Sequence, residues 1–460
     1  MLSSTLCGIK NIQKPITIDF YRKKSLKDFD SINDRVRVIY GPNGSGKTAL
    51  MTGFFIAQKL LSDKDFFSTY GESFFENELN HKTKRMDFST DFATVDVDED
   101  GRKNIAQIFS YEFTIQKYLN AFSITHEAFF QFQGKSRNTK KRTVFETVNG
   151  EIITFSSQKE NQDYGTIVRQ STNTIMKQSF LVFLTNYLIS LSQESYDGFQ
   201  IDDAFKGLIA FRNHFRVLLN AEDIHVEYFT SGNDNGIEYE KMKSNPVFSP
   251  YHYHYVVSKK EIGEFRKFVD KQTEFIRIFK PNLKNIVLDT VETENCYLCR
   301  EILDYGEDIE ISRDFESAGI KKLMNLFPYL SSCSDGDMVF IDEMDANLTG
   351  VYLKRFIEYM NQFGEGQLCF TAHSLDPMYS LKDSSKAIYF MNENNDICAW
   401  TKNANYKPYI LYPEGMIPGI TFDLEPFDFL SVFNQNRKNM LTMKIKRQMG
   451  WIDYADYSVL

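Results

Sequence analysis

The sequence predicts an α/β fold whose parallel sheet is split along the chain by a long insertion. Three apolar runs typical of buried strands support this: Val36–Tyr40, Met338–Ile341 and Gln367–Phe370. Each run leads into polar residues, and the first is followed by a glycine-rich loop and then by a run of helical composition, Ala49–Ala57. Buried strands that alternate with helices are typical of α/β sheets.

The loop after the first strand predicts a phosphate site. It fits the pattern G-x-x-x-x-G-K-[ST] at every fixed position. Its glycines let backbone N–H groups converge on phosphate oxygens, and the helix that follows turns its positive dipole end to the same anion. We expect Lys47 to reach the β- and γ-phosphates of a nucleoside triphosphate and the Thr48 hydroxyl to bind Mg²⁺. The predicted nucleotide-binding residues of the loop are Gly41, Asn43, Gly44, Ser45, Gly46, Lys47 and Thr48.

The second and third strands end in residues that could complete this site. Asp342 and Glu343 follow Met338–Ile341, and two residues separate His373 from the end of Gln367–Phe370. We expect Asp342 to hold Mg²⁺ beside Thr48, and Glu343 to polarise the attacking water in hydrolysis. Taken singly, the Asp-Glu pair is more typical of a solvated loop, and the histidine is as typical of a hydrogen-bonded core residue. Their order and strand context favour the site.

This order of motifs resembles the ABC-type ATPase heads of the RecF, SMC and OLD (overcoming lysogenization defect) proteins. The apparent first strand, Leu6–Ile12, is also similar to the opening of that group. The resemblance implies an ABC-type P-loop head with a split sheet and an inserted helical subdomain. It further implies that ATP is the nucleotide, and that His373 contacts the γ-phosphate or the attacking water.

An ABC head also needs a signature segment that reaches the nucleotide bound to a neighbouring subunit. The segment Phe315–Leu323 resembles the form ES-x-G-x-(K/R) found in RecF-like and OLD-like ATPases. The resemblance implies that Ser317 and Gly319 contact that nucleotide, and therefore that the heads form a homo-oligomer. Ser317 is also expected to cap a helix, and both readings agree because a helix N-terminus attracts anions.

Two positions depart from the family pattern. Thr349 stands where the loop after the Asp-Glu pair usually ends in an aspartate or a histidine, which puts the contact of that loop with the other subunit in doubt. The usual Q-loop glutamine has no clear counterpart, although Gln107 lies beside the strand-like run Ile108–Phe113.

The insertion between the two half-sites lacks the sustained heptads of long coiled coils. Its pattern predicts strands near its start, helices over 174–220 and 266–279, and paired strands before the signature. We therefore expect an N-terminal ATPase lobe at 1–150, a mainly helical insertion at 151–284, a C-terminal ATPase lobe at 285–405 and a tail at 406–460. The predicted strands are Phe92–Asp98, Ala106–Ile115, Ala128–Gln133, Thr143–Val148, Asn285–Leu288, Asn295–Ile302 and Asp308–Ile311.

Two patterns in the insertion have competing interpretations. A basic cluster at a predicted hairpin tip could grip phosphate backbones, but a solvated turn is favoured. The pair Cys296 and Cys299 could belong to a zinc site, but such a site needs four ligands, so ordinary packing is favoured. The basic cluster consists of Lys135, Arg137, Lys140, Lys141 and Arg142.

Composition narrows the class of protein. The net charge is −9, with 53 basic and 62 acidic residues, so direct nucleic-acid binding is possible but not favoured. We expect a cytoplasmic protein, since the sequence shows neither a signal peptide nor an apolar run long enough to span a membrane. Phe (41) and Tyr (25) are abundant, which fits an aromatic-rich core or oligomer interfaces.

The residues after His373 leave no room for the Toprim nuclease domain that OLD nucleases carry at this end. The chain therefore resembles the stand-alone ATPase subunits of bacterial anti-phage defence systems, of the PARIS, Septu or AbiL type. This implies a sensor or switch that controls a separately encoded effector, such as a Toprim-type or other nuclease, in response to a phage-derived trigger. The alternatives are a RecF-like DNA-repair ATPase that binds DNA directly and a scaffold with a nearly silent ATPase.

Overall fold

A computed structural model describes most of the chain and forms two compact units, Met1–Tyr409 and Ile410–Leu460. Of the second unit it describes residues 410–420 and 422, so the predicted tail at 406–460 lies mostly outside the described residues. The described residues are 1–21, 26, 35–97, 103–156, 167, 171, 174–193, 202–220, 227–229, 254–381, 387–401, 407–420 and 422. No helix among them is both long and apolar enough to cross a membrane.

The described elements alternate between antiparallel strand runs and strand–helix units. The strands are β1 (Ser3–Cys7), β2 (Ile16–Asp19), β3 (Val36–Tyr40), β4 (Arg85–Val97), β5 (Lys103–Tyr118), β6 (Ala121–Phe132), β7 (Lys141–Val148), β8 (Glu151–Phe155), β9 (Phe215–Leu218), β10 (Glu227–Phe229), β11 (Tyr255–Ser258), β12 (Asn285–Glu292), β13 (Cys296–Gly306), β14 (Ile309–Ser312), β15 (Met338–Ile341), β16 (Gln367–Thr371), β17 (Ile388–Met391) and β18 (Ile397–Ala399). The helices are α1 (Lys47–Ser62), α2 (Phe66–Glu78), α3 (Phe180–Gln193), α4 (Ala204–Asn213), α5 (Ile262–Phe279), α6 (Ala318–Ser334), α7 (Gly350–Phe363), α8 (Asp376–Leu381) and α9 (Pro408–Leu411).

A six-stranded sheet carries the predicted phosphate loop, in the order β18-β17-β3-β16-β15-β9. Its strands are parallel except β18, and every residue of β3 is buried. Continuous apolar strands suit a parallel sheet because both of its faces are covered. The N-terminal strand β3 lies between β16 and β17 from the far end of the chain, so the predicted α/β class and the split of the sheet are confirmed.

The edge strand β9 corrects the expectation of helix over 174–220. Residues Phe215–Leu218 pair in parallel with Met338–Ile341 in a register that matches Leu218 with Ile341. This run is too short for a helix, and it places the exposed Arg216 between the buried Phe215 and Val217. The sheet satisfies its backbone hydrogen bonds.

A seven-stranded antiparallel sheet, ordered β2-β1-β4-β5-β6-β7-β8, packs on the other side of α1. Helix α1 is buried almost all round because it lies between the two sheets. The Phe54 ring stacks on Phe340 of β15 with centroids 4.2 Å apart, and meets Phe88 of β4 edge-on at 6.1 Å. This aromatic contact holds the helix that follows the phosphate loop against both sheets.

The first strand is shorter than the predicted Leu6–Ile12, since β1 ends at Cys7. Gly8 has a φ of +81°, and a Cβ at this position would stand 1.9 Å from the carbonyl oxygen of Arg85. Only glycine fits such a left-handed residue in close contact with a neighbouring strand. The chain therefore turns here instead of continuing the strand.

In the described part of 151–284, the helices α3, α4 and α5 have 14, 10 and 18 residues, more than the four short strands β8 to β11 together. Before the signature segment the chain forms a third sheet, ordered β10-β11-β13-β12 with β14 paired to β13, which confirms the predicted paired strands. Helices α5 and α6 contribute buried residues to the same apolar core as this sheet. Strands and helices alternate in the insertion because each sheet needs a helix to cover its apolar face. The division into four predicted segments stays a prediction.

A buried carboxyl group joins the seven-stranded sheet to α3. Glu127 is fully buried, accepts a hydrogen bond from the Tyr111 hydroxyl at 2.9 Å and caps α3 by accepting the Phe180 N–H at 2.7 Å. Burial raises the pKa of Glu127 from 4.5 to about 7. The protonated form is therefore favoured more in the folded chain than in the unfolded chain.

We predict that Glu127→Gln removes a pH-dependent loss of stability. Because the folded pKa is higher than the unfolded one, wild-type protein loses stability as the pH rises from about 4.5 through 7. A glutamine side chain is uncharged, and it can accept a hydrogen bond from the Phe180 N–H and donate one to the Tyr111 hydroxyl. The variant should match wild type at about pH 4 and exceed its free energy of unfolding at pH 8 by up to about 3 kcal/mol, measured by denaturant titration. Parallel pH profiles for the two proteins would contradict this.

Candidate nucleotide site

The phosphate loop is held from outside by two asparagine amides. Asn11 Nδ2 donates to the Gly44 carbonyl at 3.0 Å, and Asn395 Nδ2 donates to the Ser45 carbonyl at 2.7 Å. Gly44 and Gly46 have φ values of +81° and +103°, which glycine adopts without strain. The two bonds fix the peptide planes that present the N–H groups of the loop. The sequence motif did not reveal either asparagine, because both are distant from it in the chain.

Lys47 lies between the loop and the acidic residues that follow β15. Its Nζ donates to the Gly41 carbonyl at 2.7 Å and to that of Pro42 at 3.2 Å. Burial lowers the pKa of Lys47, and the nearby charges of Asp342 and Glu343 act in the opposite direction. The fold therefore brings the two predicted half-sites together.

Thr371, the last residue of β16, organises the Asp-Glu pair. Its hydroxyl donates to Asp342 Oδ1 at 2.7 Å and accepts the N–H of Glu343 at the same distance. Thr371 and Asp342 are both buried, so each hydrogen bond offsets a desolvation cost. A hydroxyl suits this place because it both donates and accepts. In the sequence Thr371 is only a strand end next to Ala372 and His373.

Glu343 has a constrained backbone and a carboxylate with a polar neighbour near each oxygen. Its φ of +46° is uncommon for a residue other than glycine and costs of order 1–2 kcal/mol. Oε2 accepts a hydrogen bond from Asn220 Nδ2 at 2.8 Å, and Oε1 lies 3.7 Å from His373 Nε2. The predicted pair Glu343 and His373 is therefore in contact, and Asn220 is an addition that the sequence did not indicate.

Asp345 fixes the loop that carries His373. Its Oδ2 accepts the N–H groups of His373 at 2.7 Å and Ser374 at 2.5 Å. Its Oδ1 is buried and has no hydrogen-bond partner in the described part of the chain. A buried carboxylate oxygen of this kind is ready for a donor or a hydrated cation.

The signature segment presents Ser317 at the start of α6. Ser317 is exposed, and its hydroxyl caps the helix by accepting the N–H of Ile320 at 3.4 Å. The preceding Glu316 is buried and accepts the Ser317 N–H at 3.0 Å. Next to them, a Cβ on Gly319 would lie 3.1 Å from the Asn347 carbonyl, so the segment packs against the loop after the Asp-Glu pair. The predicted helix is thus present and its capping residue faces outward.

Several other predicted features have internal roles. Gln107 donates to the Phe132 carbonyl inside the seven-stranded sheet, so nothing here supports it as the Q-loop residue. Thr349 precedes α7 without capping it through its side chain. Cys296 and Cys299 are buried, and the described residues contain no group of three or more His, Cys, Asp or Glu side chains that could hold a metal.

The basic cluster is largely engaged within the protein. Arg137 donates to the Tyr21 carbonyl at 2.7 Å, and Arg142 pairs with Asp202 at 2.5 Å. Lys141 lies over the rings of two phenylalanines of β6. Cations that already have partners are poorly suited to a phosphate backbone.

The donors present suit a magnesium nucleotide. The Thr48 side chain is exposed at the start of α1, whereas Asp342 is buried and acts on the charge of Lys47. Hydroxyl and carboxylate oxygens are the ligands that Mg²⁺ prefers, and Gly44 leaves open space where a side chain would stand. We therefore assign Thr48 and Asp342 as the residues that would hold the ion.

No family model and no curated protein matches the chain. Among solved structures, it is similar to an SMC head bound to the C-terminal winged-helix domain of ScpA, with 13% identity and a TM-score of 0.40 over 87% of this chain and 98% of that one. A second similar structure is an SMC head with an extended coiled coil bound to the C-terminal domain of ScpA, from Pyrococcus furiosus. Its sequence identity is 12% and its TM-score 0.36, over 87% of this chain and 96% of that one. The SMC head from Thermotoga maritima has 11% identity and a TM-score of 0.31, over 87% of this chain and 98% of that one. At these identities and scores the likeness carries no functional argument, which rests on the site itself.

We predict that Thr371→Val weakens Mg²⁺ binding. Valine keeps the shape of threonine but leaves Asp342 without its donor and the Glu343 N–H without its acceptor. Loss of such supporting contacts costs about 10–100-fold in metal affinity. The loss of affinity is measured as the Mg²⁺ dependence of nucleotide binding. Thr5→Val, which replaces a partly exposed threonine of β1, is the control. Unchanged Mg²⁺ dependence would show that the hydroxyl does not position Asp342.

We predict that Lys47→Ala abolishes tight nucleotide binding and leaves the fold intact. Lys47 bonds only to carbonyls of its own loop among the described contacts, so its loss removes no bond between elements. Charged hydrogen bonds of this kind are worth about 1.5–3 kcal/mol, which is roughly 10–150-fold in affinity. Titration with a fluorescent ATP analogue and thermal unfolding measure the two effects. Lys59→Ala, at the end of the same helix, is the control and should bind as wild type.

Proposed function

We propose that the chain is an ATP-hydrolysing head of the ABC type that acts when two copies share a nucleotide. The observation that carries this proposal is the grouping of Lys47, Asp342, Glu343 and His373 at one end of the parallel sheet. That grouping supplies a phosphate loop, a metal-binding carboxylate and a candidate base. Ser317, the other residue expected at the nucleotide, points outward from its own helix and is free to meet another copy.

Within one copy, each side chain has a distinct task. The loop N–H groups and Lys47 bind the phosphates of ATP, and α1 adds its positive end. Mg²⁺, held by Thr48 and Asp342, would neutralise charge that develops on the phosphate oxygens. Glu343 accepts a proton from the attacking water, and His373 lies on the other side of that carboxylate.

The proton-accepting role of Glu343 depends on its neighbours. Its backbone is fixed through Thr371, and its carboxylate is partly exposed, so a water molecule can approach it. Glu343 and the exposed N-terminus of α6 are separated in sequence. The contact between Gly319 and Asn347 brings these two regions together in the fold. Pairing of two copies at Ser317 would therefore act on the loop next to Glu343.

We further propose that this head is the sensor or switch subunit of a bacterial anti-phage defence complex. The resemblance of its motifs to OLD-like heads, and among these to the PARIS ATPase AriA, supports this role. Septu and AbiL-type ATPases are the related possibilities. In each case the head would bind a separately encoded effector, such as a nuclease, in an ATP-dependent manner. It would release the effector when a phage component is sensed.

The rival function is a RecF-like ATPase that binds DNA directly. The engaged state of Arg137 and Arg142 weighs against it, as does the net charge of −9. A DNA clamp needs several free cations along one face. The switch is therefore preferred.

We predict that Glu343→Gln blocks hydrolysis and accumulates an ATP-bound pair. Glutamine keeps the shape and its place beside Asn220 but cannot accept a proton, so hydrolysis should fall by roughly 10²–10⁴-fold while ATP binding persists. Analytical ultracentrifugation with ATP should show a dimer that Ser317→Arg abolishes. Glu358→Gln, on the exposed face of α7, is the control.

The same trapped variant separates the two biological roles. Coexpressed with the products of neighbouring genes, it should retain a nuclease in an ATP-dependent manner, and the Lys47→Ala protein should release it. Tight, salt-sensitive DNA binding without any retained partner would support the RecF-like alternative instead.

A further inference from the structure

Asn220 joins the hydrolytic carboxylate to the signature helix of the same copy. Its Nδ2 donates to Glu343 Oε2 at 2.8 Å, and its Oδ1 accepts from Lys322 Nζ at 3.1 Å. A lysine can only donate and a carboxylate can only accept, so the amide has one orientation that satisfies both. Asn220 thus connects the Lys322 ammonium group to the Glu343 carboxylate through two hydrogen bonds.

Lys322 is placed to report the position of the signature segment. It is buried on α6, five residues after Ser317, which corresponds to about 7.5 Å of helix. The same turns of α6 are anchored in the core through Ile320 and Leu323. Because a packed helix moves as a rigid element, a displacement at Ser317 is transmitted to Lys322.

Glu343 is suited to receive such a displacement. Its backbone is fixed at the Thr371 hydroxyl, so the remaining freedom is in the side chain. Asn220 holds one oxygen, and His373 lies near the other at 3.7 Å. A shift of Asn220 therefore changes the orientation of the Glu343 carboxylate without moving Lys47 or the phosphate loop.

We propose that Asn220 and Lys322 are positioning residues that couple the signature helix to Glu343. Contact of a second copy with Ser317 moves α6, and the Lys322–Asn220 link sets Glu343 for proton abstraction. Hydrolysis is then fast only in the paired state. This inference rests on the proposed function, because it requires ATP hydrolysis by paired heads.

The first test separates positioning from folding. In the full-length protein, Asn220→Asp keeps the size of the side chain and gains an ion pair with Lys322, but it repels Glu343. The kcat for ATP should fall about 10-fold or more, with KM and thermal stability close to those of wild type. Asn361→Asp, which adds the same charge on α7, should leave all three unchanged. A loss of stability with unchanged kcat would show a merely structural role.

The second test addresses coupling to pairing. Wild-type hydrolysis per head should rise with protein concentration as copies pair. Lys322→Met, made also in the Glu343→Gln protein to measure pairing, should pair with ATP as wild type does but hydrolyse at the rate of unpaired heads. Lys354→Met, an exposed lysine on α7, should retain the acceleration. Acceleration that survives Lys322→Met would overturn the proposal.

A double variant shows whether the two residues act as one unit. Asn220→Asp combined with Lys322→Met should reduce kcat no further than the more severe single variant, because each change breaks one of the two bonds that connect Lys322 to Glu343 through Asn220. Additive losses would indicate independent roles and contradict the coupling. A wild-type protein that shows no hydrolysis would refute the proposed function and this inference together, whereas normal hydrolysis with silent variants refutes the link alone.

Discussion

The packing of α1 between two sheets is the constraint on which the rest of the site depends. Phe54 stacks on Phe340 of β15, and Asp342 follows directly after the end of that strand. The helix that begins at Lys47 and the strand that ends at the Asp-Glu pair are therefore held by one buried aromatic contact. Aromatic pairs of this kind add about 0.5–1.5 kcal/mol beyond the area they bury. Distortion of this core would move both halves of the site relative to each other.

The polar contacts of the site follow from the direction of the strands. Strands β9, β15 and β16 are parallel, so their carboxyl ends meet at one edge of the sheet. Asn220, Glu343 and Thr371 lie at or just beyond those ends, and each contributes a group that the next one needs. The site is thus assembled by strand order, and the loops between the strands can be long without disturbing it.

The inserted elements extend the site to a second surface. The third sheet and α5 form an apolar core with α6, so the signature helix is supported by residues of the insertion. At its first turn α6 meets the loop after the Asp-Glu pair, where a side chain on Gly319 would crowd the Asn347 carbonyl. This contact places an exposed helix N-terminus beside the loop that follows Glu343.

The sequence by itself determined the phosphate loop, the apolar strands around it and the order of the acidic residues, because these depend on local patterns of glycine and apolar residues. It also indicated the paired strands before Ser317 and the helix that Ser317 caps. Strand β9 was mistaken for helix, since four residues are too few to show a period and the partner strand is distant in the chain. Only the tertiary structure brought Asn220, Lys322 and Thr371 to Glu343 and Asp342. Their roles come from hydrogen bonds between residues that are far apart in sequence, and such bonds leave no pattern in a single chain.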